Sequence, residues 1–206
     1  MASPVNLAAF GLGFSLSEGI IDGPEQLYGI DVTLSEASAE VALEIATRQF
    51  ERLKQMRRTL TGRSGCGLCG KDSLDQIRRV MPPVSGHFTV THSAIQRATT
   101  NLARHQPLQG LTGAVHGAAW CALDGSIMMV CEDVGRHNAL DKLIGSLWRE
   151  NCLQGPGFLL MSSRASYEIV QKAAKAGIAV VATLSAPTSM AIDLAAAAGM
   201  TLIGFA

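Results

Sequence analysis

Residues Phe158 to Ile203 read FLLMSSRASYEIVQKAAKAGIAVVATLSAPTSMAIDLAAAAGMTLI, and this stretch decides the fold class. The short apolar runs Phe158 to Met161, Ile178 to Leu184 and Thr201 to Ile203 read as strands. The segments between them, from about Ser166 to Ala176 and from about Thr188 to Ala198, read as helices. Strand-helix units joined by short loops imply a largely parallel sheet covered by helices. Ligands of open α/β sheets bind outside the carboxyl ends of the strands, which directs attention to the polar loops there, Ser162-Ser163-Arg164-Ala165-Ser166 and Ser185-Ala186-Pro187-Thr188-Ser189.

Upstream, a strand ending at Cys131 leads through Glu132-Asp133-Val134-Gly135-Arg136-His137-Asn138 into a helix with Leu140, Leu143, Ile144 and Leu147 on one face. Asp124-Gly125 joins Ala118 to Leu123 and Ile127 to Cys131 as a hairpin. Short helices are predicted near Ser73 to Val80 and Ser93 to Arg104, on either side of the breaker Pro82-Pro83. Gly62 to Gly70, GRSGCGLCG, is a loop by its four glycines. Arg48 to Arg58 reads as a helix with Phe50 and Leu53 inward. The alternation through Val41, Leu43 and Ile45 gives a strand from Glu40 to Thr47. The opening LAAFGLGFSLSEGII reads as a helix, its buried face marked by Leu7, Phe10, Phe14 and Leu16, before a turn at Asp22-Gly23-Pro24. No internal repeat or low-complexity segment is present.

The 206 residues fit one large domain or two small ones, and 48% hydrophobic against 17% charged residues suffices for a sizeable core. The formal net charge of zero hides an asymmetry. Met1 to Thr47 holds seven acids and no Lys or Arg, whereas Arg48 to Arg104 holds eleven bases against Glu51, Asp72 and Asp75. Such segregation fits either an anion-binding face or complementary packing between segments. Ten aromatic residues in all argue against the stacking platforms of single-strand nucleic-acid binders, and no groove-reading motif is present, so no nucleic-acid partner is expected. The N-terminus lacks the basic region of a signal peptide and no apolar run reaches membrane-span length, so a soluble cytoplasmic protein without membrane contact is expected.

Of the five cysteines, Cys121, Cys131 and Cys152 lie singly in apolar stretches and read as core filler. Cys66 and Cys69 differ. They sit in the Gly-rich loop with Arg63 three residues before and Lys71 two after, and nearby cations raise the thiolate fraction. Glycines would let another protein's reactive sulfur approach the backbone. Reactive thiols able to carry and resolve a persulfide, half of a zinc site, or an inert pair all fit the spacing. No partner CxxC or closely spaced His pair completes a zinc site.

At the strand ends, three helix N-termini together with Arg136 and Arg164 form equipment for holding phosphates. The competing reading is a buried salt-bridge network among Glu132, Asp133, Arg136, Asp141 and Lys142. His137 and His116 each fit a general acid-base role or a packed hydrogen-bonding one. Pro187 suits a first helical position, and Ser185, Thr188 and Ser189 fit helix caps or ligand groups equally.

Taken together, GFSLSEGII, SGCGLCG, TGAVHGAAW, EDVGRHNALDKLIG, SRASYEIVQKAAKAGI and SAPTSMAIDLAAAAGMTLIGF resemble the formate dehydrogenase accessory sulfurtransferase family, FdhD, in the family's order over nearly the whole chain. The resemblance implies an α/β fold: a three-layer domain similar to cytidine deaminases over residues 87–206, with a mixed, largely parallel sheet. A smaller N-terminal α+β portion over residues 1–86 would carry the CxxC loop. It implies a sulfurtransferase that takes sulfur from a cysteine desulfurase as a persulfide on Cys66, with Cys69 as its neighbour, and passes it to the molybdenum (or tungsten) bis-pterin guanine dinucleotide cofactor for formate dehydrogenase. The cofactor is then a bound substrate, held by Arg136, His137, Asn138, Arg164, Ser185, Thr188 and Phe205, with no metal ligands supplied by the chain. A homodimer is implied as well. Family members carry a further N-terminal portion and a short basic C-terminal segment, of which Phe205 matches the first position, and Ser163 replaces a usual glycine.

A zinc hydrolase like the nucleobase deaminases would need H-x-E followed by P-C-x-x-C. The chain has His116-Gly117-Ala118, no H-x-E, and a CxxC that precedes both candidate histidines. A third reading keeps the fold and removes the chemistry, leaving a chaperone that binds the cofactor without sulfurating it.

Overall fold

The computed structural model describes residues 1–36, 38–60, 83–84, 86, 88–152 and 155–206. Cys66, Cys69 and the helix predicted from Ser73 to Val80 lie outside the described residues. Helix α1 (Leu7–Ser17) is followed by a 3-10 turn (Pro24–Gln26) and the strands β1 (Leu27–Leu34) and β2 (Ala39–Ile45), then α2 (Thr47–Leu60). Next come α3 (His92–Leu102), a short α4 (Pro107–Thr112), β3 (His116–Cys121), β4 (Ile127–Asp133) and α5 (Arg136–Arg149). The chain finishes with β5 (Phe158–Met161), α6 (Tyr167–Lys175), β6 (Val180–Thr183), α7 (Ser189–Ala197) and β7 (Thr201–Ile203).

The main sheet has the order β4-β3-β5-β6-β7. It is mixed: β3 runs antiparallel to both β4 and β5, and β5, β6 and β7 are mutually parallel. Side chains alternate between its faces as period two requires. Ala118, Trp120, Leu159, Met161 and Val181 meet α5, α6 and α7 on one face. Ala119, Cys121, Phe158, Leu160, Val180 and Ala182 meet Ile95, Ala98 and Leu102 of α3 on the other. The domain therefore has three layers. Leu140, Leu143 and Leu147 of α5 are fully buried, each contributing about 1.5–3 kcal/mol to the core. The β3-β4 hairpin turns at Asp124-Gly125 as expected. Gly125 adopts φ 87°, and a Cβ there would lie 2.1 Å from the Ala94 carbonyl, so only glycine lets the turn tuck under α3.

Helix α1 forms a further layer on α5. It buries Leu7, Ala9, Gly11, Leu12 and Gly13, whereas the phenylalanines expected on its inner face, Phe10 and Phe14, are only half-buried and touch each other at 5.9 Å. The reason is close packing by small residues. A Cβ on Gly13 would fall 1.8 Å from the Asp141 carbonyl oxygen, and one on Gly145 would fall 1.9 Å from that of Ala9. The two helix backbones touch where these glycines cross.

Strand β1 was not foreseen beside β2. The antiparallel pair packs through Leu27, Ile30 and Ile45 on Leu12, Ile20 and Ile21, and leaves Asp31, Glu36, Glu40 and Glu44 in solvent. An ion pair joins the acidic front block to the basic block, where Asp22 and Arg52 lie 3.0 Å apart. The Arg52 guanidinium holds the Asp22 carboxyl below its ordinary range.

Candidate functional site

Two chemistries share the segment Glu132 to Lys142, and the fold separates them. Asp133, at the end of β4, is fully buried and saturated. Its Oδ2 accepts from Lys142 Nζ at 2.6 Å and from Ser3 N and Oγ at 2.9 Å, and its Oδ1 accepts from Gly135 N and Asn138 Nδ2. Burial alone would raise this carboxyl, but Lys142, the Gly135 N–H and Ser3 together hold it below its ordinary range. Asp141 points the opposite way, into α1 and α6. Both of its oxygens accept from Lys172 Nζ at 2.9 Å, and Ser17 Oγ donates to Oδ1 at 2.6 Å. Lys172 Nζ also reaches Glu18 Oε1 at 2.9 Å and stands over the Phe14 ring. Burial alone would lower the Lys172 ammonium, but the carboxylates of Asp141 and Glu18 outweigh it and keep the group charged. The buried network foreseen from sequence is therefore two networks, with Lys172, Glu18 and Ser3 as members that it omitted. The Glu132 carboxylate is engaged separately, accepting from Leu108 N and Gln109 N at the start of α4.

Arg136 belongs to neither network. It opens α5 at half-burial, and its Nε is buried without a hydrogen-bond partner among the described residues. His137, next in the helix, places Nε2 2.6 Å from Oε2 of Glu168, with Ser166 Oγ 3.5 Å from the same nitrogen. His116 opens β3 opposite Asp133. Burial, reinforced by the charges of Arg136 and His137, lowers its pKa, so this imidazole is neutral at pH 7.

The other loops arrive at the same sheet edge. Gly117 N donates to Ser162 Oγ at 2.8 Å, and Ser162 N donates back to Gly117 O at 2.9 Å, which ties the β5 loop to the start of β3. Ala165 and Pro187 form a parallel bridge, and Thr188 N donates to Ala165 O at 3.0 Å, joining the β5 and β6 loops. Beyond β7, Ala206 N donates to Thr183 O, while a Cβ on Gly204 would fall 2.5 Å from Pro187. The ends of β4, β5, β6 and β7 and the start of β3 thus form one continuous polar edge, with the N-termini of α5, α6 and α7 along it.

The expected ligand residues distribute unevenly along this edge. Arg164 is exposed, Ser185 is half-buried with its carbonyl accepting from Thr183 Oγ1, and Phe205 is exposed at φ 55°. Thr188 is the N-cap of α7, its Oγ1 accepting from Ala191 N at 3.3 Å, so Pro187 sits one residue ahead of the cap. The Asn138 amide nitrogen is given to Asp133 and to the Met1 carbonyl. Glu168 is the site residue that sequence reading missed. It lies 31 positions from His137, and no local spacing connects them. Cys66 and Cys69 lie outside the described residues, and no geometry relates them to this edge. Burial pushes the Cys121 thiol up to about 12, and it raises that of Cys131 too, as befits packing residues. Among the described residues no group of three or more His, Cys, Asp or Glu side chains could hold a metal ion, and no helix is long and apolar enough to cross a membrane.

The FdhD/NarQ family model matches residues 1–206. The chain belongs to the FdhD/NarQ family. It is 48% identical over 206 residues to the sulfur carrier protein FdhD of Acinetobacter baylyi, spanning 75% of that protein. It is likewise 48% identical to the sulfur carrier protein FdhD of Xanthomonas campestris pv. campestris, spanning 73% of it. Among solved structures, that of a candidate formate dehydrogenase accessory protein from Desulfotalea psychrophila superposes with a TM-score of 0.72 at 22% identity. The match covers all of this chain and 76% of the other, and it establishes the shared α/β fold.

Proposed function

We propose that this FdhD/NarQ member is a sulfurtransferase. In this reading it accepts sulfur on Cys66 from a cysteine desulfurase and delivers it to the molybdenum (or tungsten) bis-pterin guanine dinucleotide cofactor destined for formate dehydrogenase. The observation that carries the reading is that relatives 48% identical over the whole chain are named sulfur carriers, while this chain has Cys66 and Cys69 between the cations Arg63 and Lys71. Those cations favour the thiolate, which is the attacking species. Loading is a thiolate exchange. Cys66 Sγ attacks the outer sulfur of the donor's persulfide, a new S–S bond forms on Cys66, and the donor's S–S bond breaks to release its own thiolate. Cys69 then shields the persulfide, or its thiolate attacks Cys66 Sγ to close a disulfide while the outer sulfur leaves as hydrosulfide.

The polar edge supplies the other half of the task. A bis-guanine-dinucleotide is rich in phosphate, and phosphates are held by helix N-termini and guanidinium groups. The edge offers three such N-termini, Arg164 in solvent and Arg136 with a buried Nε that has no partner among the described residues. Ser185, Thr188 and Phe205 lie along the same edge, with the hydroxyl of Thr188 committed to its cap. Action in the cytoplasm as a homodimer is part of the same reading.

The test is intact-mass spectrometry after incubation with a cysteine desulfurase and cysteine. The wild-type chain should gain the mass of one sulfur atom, removable by reductant, and Cys66→Ala should not. A reducible adduct that persists in Cys66→Ala contradicts the assignment. Undiminished formate dehydrogenase maturation by Cys66→Ala would support cofactor delivery without sulfur transfer instead.

A further inference from the structure

His116 is the first residue of β3, and the strand register sets it opposite Asp133. Side chains two residues apart share a face of the sheet, and Ala118 packs on the face covered by α5. The His116 imidazole therefore stands on the side from which the N-terminus of α5 rises. It is half-buried and makes no hydrogen bond among the described residues. The charged and titratable groups around it are Asp133 of β4 with its partner Lys142, Arg136 and His137 of α5, and, beyond His137, Glu168 of α6. Asp133 is already matched by Lys142 at 2.6 Å, and Glu168 lies against His137. What is left to act on His116 is positive: the Arg136 guanidinium and the start of a 14-residue helix. Partial burial and this like charge both oppose a further cation, and the ring is held neutral.

We propose that His116 is a proton-linked ligand residue of the strand-end edge: as a nucleoside diphosphate binds beside Arg136, the ring takes up one proton from solvent and becomes a further cation against the phosphates. The ligand half of this inference rests on the nucleotide reading given above. A bound diphosphate reverses the sign of the local charge, and an opposite charge at about 4–6 Å strengthens proton binding about tenfold or more. The imidazolium then has two N–H donors where the neutral ring has one, and its contacts to phosphate are charge-assisted. In the empty site the same ring stays neutral, so the α5 N-terminus does not carry the repulsion of a further cation. By linkage, a group that gains a proton on binding makes binding tighter as pH falls. The edge is thus expected to hold its ligand more firmly in mild acid and to release it as pH rises.

The test is titration calorimetry of the full chain with guanosine diphosphate in buffers of different ionisation enthalpy, which reads the protons exchanged on binding. The wild type should take up more protons than His116→Gln. Between about pH 8 and pH 6 the ratio of the two affinities should move about tenfold in favour of the wild type. Ionisation of the nucleotide and of His137 is common to both proteins and cancels in that ratio. Equal proton uptake by the two proteins, or a ratio that does not change with pH, overturns the role of His116. If His116→Gln fails to fold, proton-nitrogen correlation spectra of the wild-type ring decide: conversion to the imidazolium on adding guanosine diphosphate supports the role, and a ring that stays neutral overturns it. Inorganic pyrophosphate and guanosine separate the parts of the ligand. The His116-dependent uptake should appear with pyrophosphate and not with guanosine, and equal uptake with guanosine overturns the phosphate contact. Pyrophosphate binding with that uptake, but no binding of guanosine diphosphate, overturns the nucleotide reading and leaves His116 its role, whereas failure of both to bind overturns the two together.

Discussion

The interior of EDVGRHNALDK and its outer edge differ in how completely their polar groups are satisfied. Asp133 and Lys142 are buried with ligands at every turn, and Asp141 is clamped by Lys172 and Ser17. A few residues away, Arg136 keeps a buried Nε without a partner among the described residues, and His137 keeps a ring nitrogen outside its contact with Glu168. Saturated groups have little left to offer a ligand, whereas unfilled ones are poised for it. A single run of charges thus divides into a scaffold that fixes α1, α5 and α6 and an edge whose polar groups are less completely engaged.

Breaking the scaffold should have the largest effect. Lys142→Met leaves the Asp133 carboxylate buried without its cation and should cost about 3–5 kcal/mol, as should Lys172→Met through Asp141 and Glu18. Urea unfolding would measure both, and a loss below about 1 kcal/mol would show that these pairs are not what holds the layers. Gly145→Ala places a methyl against the Ala9 carbonyl at a backbone crossing that has no room. It should destabilise by about 3 kcal/mol, the upper part of the range for overpacking, and limited proteolysis should then release the N-terminal segment.

Acid should separate the two regions next. Asp133 has its pKa lowered in the fold, so it contributes stability that is present above the ordinary carboxylate range and is lost as pH falls through the lowered value. His116, also lowered, binds fewer protons folded than unfolded, so its contribution is complete above the ordinary histidine range and declines as pH falls below it. A stability-pH curve should therefore show a small step below about pH 6.5 that His116→Gln removes, and a steeper fall in the acid range that His116→Gln leaves intact.

The smallest effect on stability is expected at the edge itself. Arg164→Ala should alter it by no more than about 0.5 kcal/mol, as is usual for an exposed side chain. The same change should weaken guanosine diphosphate binding about tenfold, the loss of one charge-assisted contact. Calorimetry on the same sample would read both quantities, and unchanged affinity would remove Arg164 from the cradle.

Much of the fold was legible because the apolar runs after Phe158 are short, bounded by turn residues and separated by helical spacing. The strands Phe158–Met161 and Thr201–Ile203 fall where they were read. Strand β1 escaped because Gly29 and Asp31 interrupt Leu27–Leu34, and Tyr28, Val32 and Leu34 remain exposed. Helix α4 escaped because it has six residues and is anchored by Glu132, over 20 positions along the chain. The charged members of the site were visible as residue types, but their division was not. Whether Asp141 faces Lys142 or Lys172 depends on how α5 meets α1 and α6, and that crossing is set by Gly13 and Gly145, which carry no charge signal. Glu168 was invisible for the same reason, since only the packing of α6 beside α5 brings it to His137.

The function proposed above makes sulfur chemistry and nucleotide binding separate capacities of one chain. It is tested most directly by loading the protein with sulfur from a cysteine desulfurase, isolating it, and assaying its ability to activate formate dehydrogenase assembled with unsulfurated cofactor. The expected result is activation by the wild type and none by Cys66→Ala, although that variant binds guanosine diphosphate as the wild type does. Activation by Cys66→Ala equal to that of the wild type would contradict the account.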